Sequence, residues 1–106
     1  MMNDKNGSGA SAQSTSIALR LYVLGDSVKT NVAINNLKQI CEAHFPGMYQ
    51  LEIYDVLENP QLLENDNVLA TPLLIKLSPE PKMRIIGDFS DSQRVLQGLG
   101  YNPDKL

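Results

Sequence analysis

The sequence predicts one α/β domain, and three patterns indicate it. Apolar residues alternate with period two over residues 17–24 and again over residues 49–56, which is typical of strands. Between these segments, apolar residues recur at helical spacing. Because a strand–helix–strand unit is almost always right-handed with parallel strands, the first half of the chain predicts an α/β layer architecture.

Composition argues against several functional classes. The chain has 106 residues and a net charge of -3, and its basic residues are scattered rather than clustered as a nucleic-acid face requires. No apolar run approaches the ~20 residues that span a bilayer, and the start of the chain lacks a secretory signal pattern. We therefore expect a cytoplasmic protein that binds neither nucleic acid nor membrane. The single cysteine, Cys41, fits a reducing compartment.

The ends of the folded region follow from composition. Residues 1–16 are rich in Ser, Asn, Gly and Ala and offer almost no apolar side chain to bury. Ordering such a segment costs backbone entropy with little return, so we predict a disordered N-terminal tail. The folded domain is predicted to comprise residues 17–103.

The first helix is predicted to begin after the turn at Gly25, with Asp26 or Ser27 as its N-cap. Pro46 and Gly47 are expected to end it. Ala33, Leu37, Ile40, Cys41 and His44 fall at helical spacing, and His44 is expected at the boundary of the buried stripe. Cys41 is therefore expected to be a small buried hydrophobic residue, not a reactive thiol.

The second helix is predicted to begin at Asn59-Pro60, an Asx cap followed by proline at the first helical position. Its amphipathic segment is predicted to comprise Leu62, Leu63, Asp66 and Leu69. Pro72 should stop it, since the residue before a proline is pushed out of the helical region.

The last third of the chain predicts a hairpin and a short helix. Residues 73–77 and 82–86 flank a proline-rich turn and are expected to pair as strands. Ser90 and Gln93 have the spacing of a capping box, which favours a helix start at Ser90, and Gly98 and Gly100 weaken that helix. The full order, βαβαββα, is that of the thioredoxin-like architecture.

No pattern predicts catalysis. A thioredoxin-type enzyme needs a thiol in the turn after its first strand, and that turn reads Gly25-Asp26-Ser27 without sulfur. Zinc-ligand spacing, phosphate-binding glycine loops and a nucleophile–histidine set are also missing from the sequence, which contains one histidine. We therefore predict a protein that is not an enzyme and has no catalytic, cofactor or metal site.

Three segments carry a family resemblance. They are Leu-Ala-Thr-Pro-Leu-Leu at 69–74, Arg-Ile-Ile-Gly-Asp-Phe-Ser at 84–90, and Tyr-Asp-Val-Leu-Glu-Asn-Pro-Gln-Leu at 54–62. Together they resemble the KaiB family of bacterial clock proteins. The resemblance implies a regulatory protein that binds the N-terminal ATPase ring of a KaiC-like protein, then captures KaiA and competes with a sensor histidine kinase domain.

The resemblance also implies a change of fold. Family members have either this thioredoxin-like order, as a monomer, or a ground-state βαββααβ order in a homo-oligomer, a dimer or more usually a tetramer. Residues 73–77 are short and Leu-rich, so periodicity alone does not separate strand from helix there. The capping box at Ser90 and the glycine at 100 favour the thioredoxin-like order. A thioredoxin-like adaptor locked in one fold, with an unrelated protein partner, is the alternative function.

Individual residues are transferred from the family by position. The predicted partner-binding residues are Lys76, Arg84 and Arg20. The predicted conformational-switch residues are Thr71, Pro72, Gly87, Asp88, Gly98 and Gly100, and Thr71-Pro72 occupies the position where thioredoxin-like folds keep a cis proline. The chain departs from the family pattern at Ile17, Val32, Glu52, Met83 and Gly100, of which Val32, Glu52 and Met83 replace basic residues.

Overall fold

The computed structural model describes residues 16–101. The predicted tail, except for Ser16, lies outside the described residues. So does the predicted end of the domain, at residues 102–103. The elements are β1 (Ile17–Val23), α1 (Val28–His44), β2 (Tyr49–Asp55), α2 (Leu62–Asn65), β3 (Leu73–Ser78), β4 (Met83–Ile86) and α3 (Ser92–Gly98). This is the predicted thioredoxin-like order and not the ground-state alternative.

The four strands form one mixed sheet in the order β2-β1-β3-β4. β1 is parallel to β2 and antiparallel to β3, and β3 pairs with β4 as the predicted hairpin. β1 is a central strand whose Ile17, Leu19, Leu21 and Val23 are buried on the face toward α1 and α3, while its other face carries Arg20 and Tyr22. β2 is an edge strand. Ile53 lies on the predicted apolar face of β2 but remains 38% exposed.

The sheet separates two apolar clusters. The larger cluster lies against α1 and α3 and includes Leu19, Leu21, Leu37, Leu74 and Leu96. The smaller cluster lies on the opposite face, near α2, and consists of Tyr22, Val56, Val68, Leu73 and Ile75. The α2 segment has only four residues, so this second face has much thinner cover.

The first helix agrees with its prediction. Ser27 is the N-cap, in an extended conformation, and its side chain accepts a hydrogen bond from the Thr30 amide at 3.2 Å. The helix ends at His44, before Pro46, and Gly47 then turns the chain with φ +71°. Ala33, Leu37, Ile40 and Cys41 are buried, and His44 is half-buried, as expected of a boundary residue.

The second helix was predicted too long, and its cap was wrong. The Glu58 and Asn59 amides both bond to the Asp55 carbonyl, so the chain is still turning where the Asx cap was expected. Gln61 precedes the helix and makes no side-chain cap bond. At the other end, Asn67 has a left-handed φ of +51°, which stops the helix well before Pro72.

The third helix begins one residue later than the capping box predicted. Asp91 is the N-cap, and its carboxylate accepts from the Arg94 amide at 3.2 Å. The Ser90 amide is taken by the Asp88 carboxylate at 3.0 Å, and Phe89 has φ +63°, so Ser90 belongs to the preceding turn. The expected cis bond at Thr71-Pro72 is confirmed, and Ser78-Pro79 and Glu80-Pro81 are also cis.

Candidate partner-binding surface

A polar network occupies the thinly covered face of the sheet, directly after α2. Its centre is Asp66, whose Oδ2 accepts hydrogen bonds from the Tyr22 hydroxyl and from Arg20 Nη1, the latter at 3.0 Å. Both donors stand on the central strand β1. The network therefore fastens the end of α2 to the middle of the sheet.

Burial and hydrogen bonding together set the charge state of this network. Tyr22 has no exposed surface, and burial raises the pKa of its hydroxyl. The hydrogen bond from Tyr22, reinforced by Arg20, lowers the pKa of Asp66. Asp66 is therefore a carboxylate at neutral pH, held by a neutral phenol and a guanidinium.

The predicted partner-binding residue Arg20 is occupied within the molecule. Besides Asp66, its Nη2 lies 3.5 Å from Glu52 Oε1, and its guanidinium stacks 5.5 Å from the centre of the Tyr54 ring. Glu52 is one of the departures from the family pattern, and its carboxylate here pairs with Arg20. Arg20 Nε is buried without a hydrogen-bond partner among the described residues.

Arg84 holds the same loop from the other side. Its Nη2 donates to the carbonyl oxygens of Asp66 and Asn67, both at 2.8 Å. Asn67 has the left-handed backbone noted above, so one of these two bonds goes to the residue at which the chain leaves the helical conformation. Unlike Arg20, Arg84 lies on the edge strand β4 and remains exposed.

Lys76 does not join this group. It is 4% exposed, and on β3 it alternates onto the face that carries α1 and α3. Its Nζ lies 3.5 Å from the Leu99 carbonyl oxygen at the end of α3, where a cation is favourable to the helix dipole. A Cβ at Gly100 would lie 3.6 Å from the same ammonium. Lys76 therefore stabilises α3 in this fold and does not face solvent.

The predicted switch residues lie where the hairpin meets its neighbours. Gly87, at φ +139°, donates its amide to the Pro72 carbonyl at 3.2 Å and so joins the two ends of the hairpin. The Asp88 carbonyl accepts from Asn36 Nδ2 of α1 at 3.0 Å. The bond to Ser90 lowers the pKa of the Asp88 carboxyl.

Gly98 of α3 lies directly against Ile85 of β4. A Cβ at this position would lie 2.5 Å from Ile85 Cδ1 and 3.0 Å from Ile85 Cγ1. Gly100 follows with φ +81°, a conformation that favours glycine. Pro72, Gly87, Gly98 and Gly100 thus lie at junctions within the C-terminal half, and Asp88 joins that half to α1.

Exposed apolar side chains surround the loop at Asp66 and Asn67 that Arg84 holds. A groove of about 340 Å³ is lined by Asn67, Leu69, Leu73, Arg84 and Ile86. Leu69 is 94% exposed, although periodicity had placed it on the apolar face of a longer second helix. At the other end of α2, Leu57 is 65% exposed and Leu63 is 36% exposed.

Sequence reasoning missed Tyr22 and Asp66 as parts of this surface. Tyr22 had been assigned to an alternating strand, and Asp66 to the face of an amphipathic helix. The two residues are 44 positions apart, and no local pattern joins them. The sequence therefore carried no signal that would have found this contact.

The environment of the Cys41 thiol does not favour its reaction. Cys41 is buried on α1, and burial raises its pKa to about 11, so little thiolate exists near neutral pH. Within residues 16–101, no three or more His, Cys, Asp and Glu side chains come together as metal ligands would. None of the helices in the described part of the chain is long and apolar enough to cross a membrane.

Comparison with known proteins agrees with this geometry. The family model described as the KaiB domain matches residues 20–101. The chain belongs to the KaiB family. The predicted family assignment is thus confirmed, and the match spans every strand, helix and polar contact described above except the start of β1.

Curated relatives of this KaiB-family chain are named as clock proteins. It is 49% identical over 88 residues to the circadian clock oscillator protein KaiB of Prochlorococcus marinus strain NATL2A, covering 83% of this chain and 82% of that protein. It is 47% identical over 90 residues to circadian clock protein KaiB3 of a Synechocystis species, covering 85% of this chain and 88% of that protein.

Solved structures with similar backbones confirm the fold. The N-terminal domain of Synechococcus elongatus SasA matches with a TM-score of 0.68 at 22% identity, covering 90% of this chain and 93% of that domain. Chloroplastic thioredoxin z matches with a TM-score of 0.66 at 18% identity, covering 84% of this chain and 80% of that protein. At these identities the likeness concerns the thioredoxin-like architecture alone.

Proposed function

We propose that this chain is a non-enzymatic regulatory protein of the KaiB type that binds the N-terminal ATPase ring of a KaiC-like protein in the cytoplasm. The observation that carries the proposal is its 49% identity to a circadian clock oscillator protein KaiB over most of both chains. KaiA or a sensor histidine kinase would be further partners. Without the ring, the folded domain of residues 17–103 would form a dimer or tetramer.

The surface around α2 suits a protein partner. Leu57 and Leu63 leave apolar area exposed because four helical residues cannot cover this face of the sheet. Asp66 and Arg84 hold the adjoining loop in place, so the surface is organised before it meets a partner. In this role Arg20 acts indirectly, through Asp66, whereas exposed Arg84 is also free to contact the ring.

The C-terminal half has features that suit a change of fold. α2 has four residues and α3 has seven, both far below the ~12–15 residues at which helices hold by themselves, so packing must stabilise them. α3 also contains Gly98, a weak helix former. If the two packings differ by a few kcal/mol, the minor fold is populated at about 0.1–10%, and a partner that binds it shifts the equilibrium.

Binding to the N-terminal ring of a KaiC-like protein tests the proposal, with the complex detected by size-exclusion chromatography and light scattering. We expect a stable complex with the wild-type chain and at least about tenfold weaker binding for Leu57→Glu, because the variant would bury an unpaired carboxylate. Met48→Glu is the matched control, since Met48 is 41% exposed just before β2, at the opposite end of that strand.

Amide NMR tests the change of fold in the same samples. Two sets of slowly exchanging signals for residues 73–100, with one set selected by the ring, would support it. A single set in the free and bound chain would reject the change of fold while leaving ring binding intact.

The alternative is an adaptor locked in the thioredoxin-like fold. The backbone similarity to the SasA N-terminal domain and to thioredoxins supports it, because those structures share this order of elements. Such an adaptor would show one set of amide signals and no affinity for the ring. Absence of ring binding by the wild-type chain would therefore favour this alternative over the proposed function.

A further inference from the structure

The outer edge of β4 has backbone groups that a further strand could pair with. β4 is the last strand of the sheet, and within residues 16–101 only β3 pairs with it. The Gly87 amide donates to the Pro72 carbonyl at 3.2 Å, and these two residues continue the register of the hairpin. Because bonded and non-bonded pairs alternate in an antiparallel ladder, the N–H and C=O groups of Arg84 and Ile86 point away from β3. An extended segment could therefore bond to both residues.

One side chain of the described residues reaches these outward groups. Arg94 Nη1 lies 3.5 Å from the Ile86 carbonyl oxygen, which is long for a hydrogen bond. Arg94 is exposed on α3, so its guanidinium can move to solvent when an amide takes its place. The contact therefore does not block the edge.

The side chains beside this edge favour an apolar residue in the added segment. Ile85 is buried in the cluster against α1 and α3, so Arg84 and Ile86 lie on the other face of β4, toward α2. Ile86 is 48% exposed, and Leu69 in the same groove is 94% exposed. In an added strand, the residue opposite Ile86 has its side chain on this face. An apolar side chain there would fill the groove of about 340 Å³ and cover both exposed residues.

The charges along the edge favour an acidic residue in the same segment. Lys82, Arg84 and Arg94 are exposed, and none of them forms an ion pair with a carboxylate among residues 16–101. Arg84 bonds to the loop carbonyls through Nη2. Its Nη1 and Nε remain for a carboxylate, in the two-bond geometry that a guanidinium prefers.

We propose that β4 binds an extended, acidic segment of a partner protein as an added antiparallel strand. Antiparallel pairing sets partner residues directly opposite Ile86 and Arg84. The segment would have an apolar residue opposite Ile86 and, two positions later, a carboxylate opposite Arg84. Backbone bonds would supply affinity, and these two side chains would supply specificity. This site goes beyond ring binding and does not depend on it.

A synthetic peptide tests the proposal by NMR titration of the full chain. The probe is a peptide of about seven threonines, blocked at both ends, with leucine at its third position and glutamate at its fifth. The amide signals of Arg84 and Ile86 should shift, and their hydrogen exchange should slow, with a Kd on the order of 100 µM. A probe with lysine in place of glutamate should bind at least about fivefold more weakly.

Two N-methylated probes separate backbone pairing from side-chain contact. Methylation of the leucine amide removes an N–H that faces β4, and it should weaken binding at least about tenfold. Methylation of the next amide, on threonine, adds the same atoms to a group that points away from β4. It should weaken binding less than about twofold.

Variants of the chain locate the bound probe, and circular dichroism checks that each one is folded. Ile86→Thr removes the apolar contact and should weaken binding at least about fivefold. Met83→Thr is the matched control, since Met83 is 37% exposed on the other face of β4. Leu57→Glu, the variant designed against ring binding, should leave probe binding unchanged. Failure of this proposal can therefore be told apart from failure of ring binding.

Four results would overturn the proposal. The probe might cause no shifts at about 5 mM, or the shifts might lie along β2 instead of β4. The two N-methylated probes might bind equally well, which would exclude backbone pairing. Finally, the same shifts might appear without the probe as the chain is concentrated, because a second copy of the chain would then occupy the edge.

Discussion

The replacement Asp66→Asn tests whether the network on the α2 face stabilises the thioredoxin-like fold. The carboxylate accepts from the Tyr22 hydroxyl and from Arg20 Nη1, and its side chain is only 23% exposed. An asparagine keeps one acceptor oxygen of similar shape but loses the charge. The variant therefore isolates the electrostatic part of the contact without leaving a cavity.

The expected cost is about 2 kcal/mol of unfolding free energy at neutral pH, since a hydrogen bond to a charged group contributes roughly 1.5–3 kcal/mol and part of it remains with the amide. The pH dependence follows from the lowered pKa of Asp66. A carboxylate whose pKa is lower in the folded state contributes stability that is present above its unfolded value of about 3.9 and is lost as pH falls through the folded value.

Urea unfolding followed by circular dichroism measures both effects, at a protein concentration low enough to keep the chain monomeric. The difference between wild type and Asp66→Asn should be largest near neutral pH and should shrink between about pH 5 and about pH 2. Glu64→Gln, an equally small change at an exposed position on α2, serves as the control and should alter stability by less than about 0.5 kcal/mol. A difference for Asp66→Asn that is below about 0.5 kcal/mol at neutral pH, or that does not vary with pH, would refute the reasoning.

Three other features of the structure give predictions that can be measured. The change in unfolding free energy caused by Gly98→Ala should be more favourable by about 1 kcal/mol in an Ile85→Val background than in the wild-type chain, because valine lacks the Cδ1 atom that the new Cβ would strike. A double-mutant cycle measured by thermal or urea unfolding that shows no coupling would contradict this. Cys41, with a pKa of about 11 and no exposed surface, should resist a disulfide reagent at about pH 8 in the folded chain and react once urea unfolds it; fast reaction of the folded chain would be the contrary result. Arg84→Ala should speed hydrogen exchange of the Val68 amide about tenfold, since two 2.8 Å bonds to the preceding loop are lost; unchanged protection would show that the loop is held by other contacts.

Local patterns predicted most of the architecture. Period-two alternation located β1 and β2, two short runs flanking a proline-rich turn located the hairpin, and helical spacing located the buried stripe of α1. These elements were predictable because each buries at least part of one face, and burial imposes the period of the element on the sequence. The family resemblance, carried by three short segments, was confirmed over residues 20–101.

Helix ends were less predictable because several polar residues competed for the same amides. Asn59 and Ser90 both had the chemistry of an N-cap, yet neither caps a helix. In the first case, the backbone carbonyl of Asn59 accepts from the Leu62 amide at 3.0 Å, the amide that its side chain was expected to cap. In the second, the Asp88 carboxylate takes the Ser90 amide and leaves Asp91 to cap α3.

The candidate site was predictable only in part. Arg20, Lys76 and Arg84 were proposed from the family as one group of partner contacts, and their direct contact with a partner stays a prediction. The structure separates them, because alternation along β3 turns Lys76 to the α3 side while Arg84 on β4 faces the other way. The residue that links Arg20 to Arg84 is Asp66, which sequence spacing had assigned to a helix face.

The sequence by itself determined the class of fold, the positions of the strands and first helix, and the family. Those properties depend on the periodicity of apolar residues and on short segments, both of which can be read along the chain. The tertiary structure alone decided which polar groups meet, which leucines stay exposed and where α2 stops. The physical reason is that a carboxylate at position 66 finds its partners on a strand 44 and 46 residues earlier, and only the packed sheet brings them within hydrogen-bonding distance.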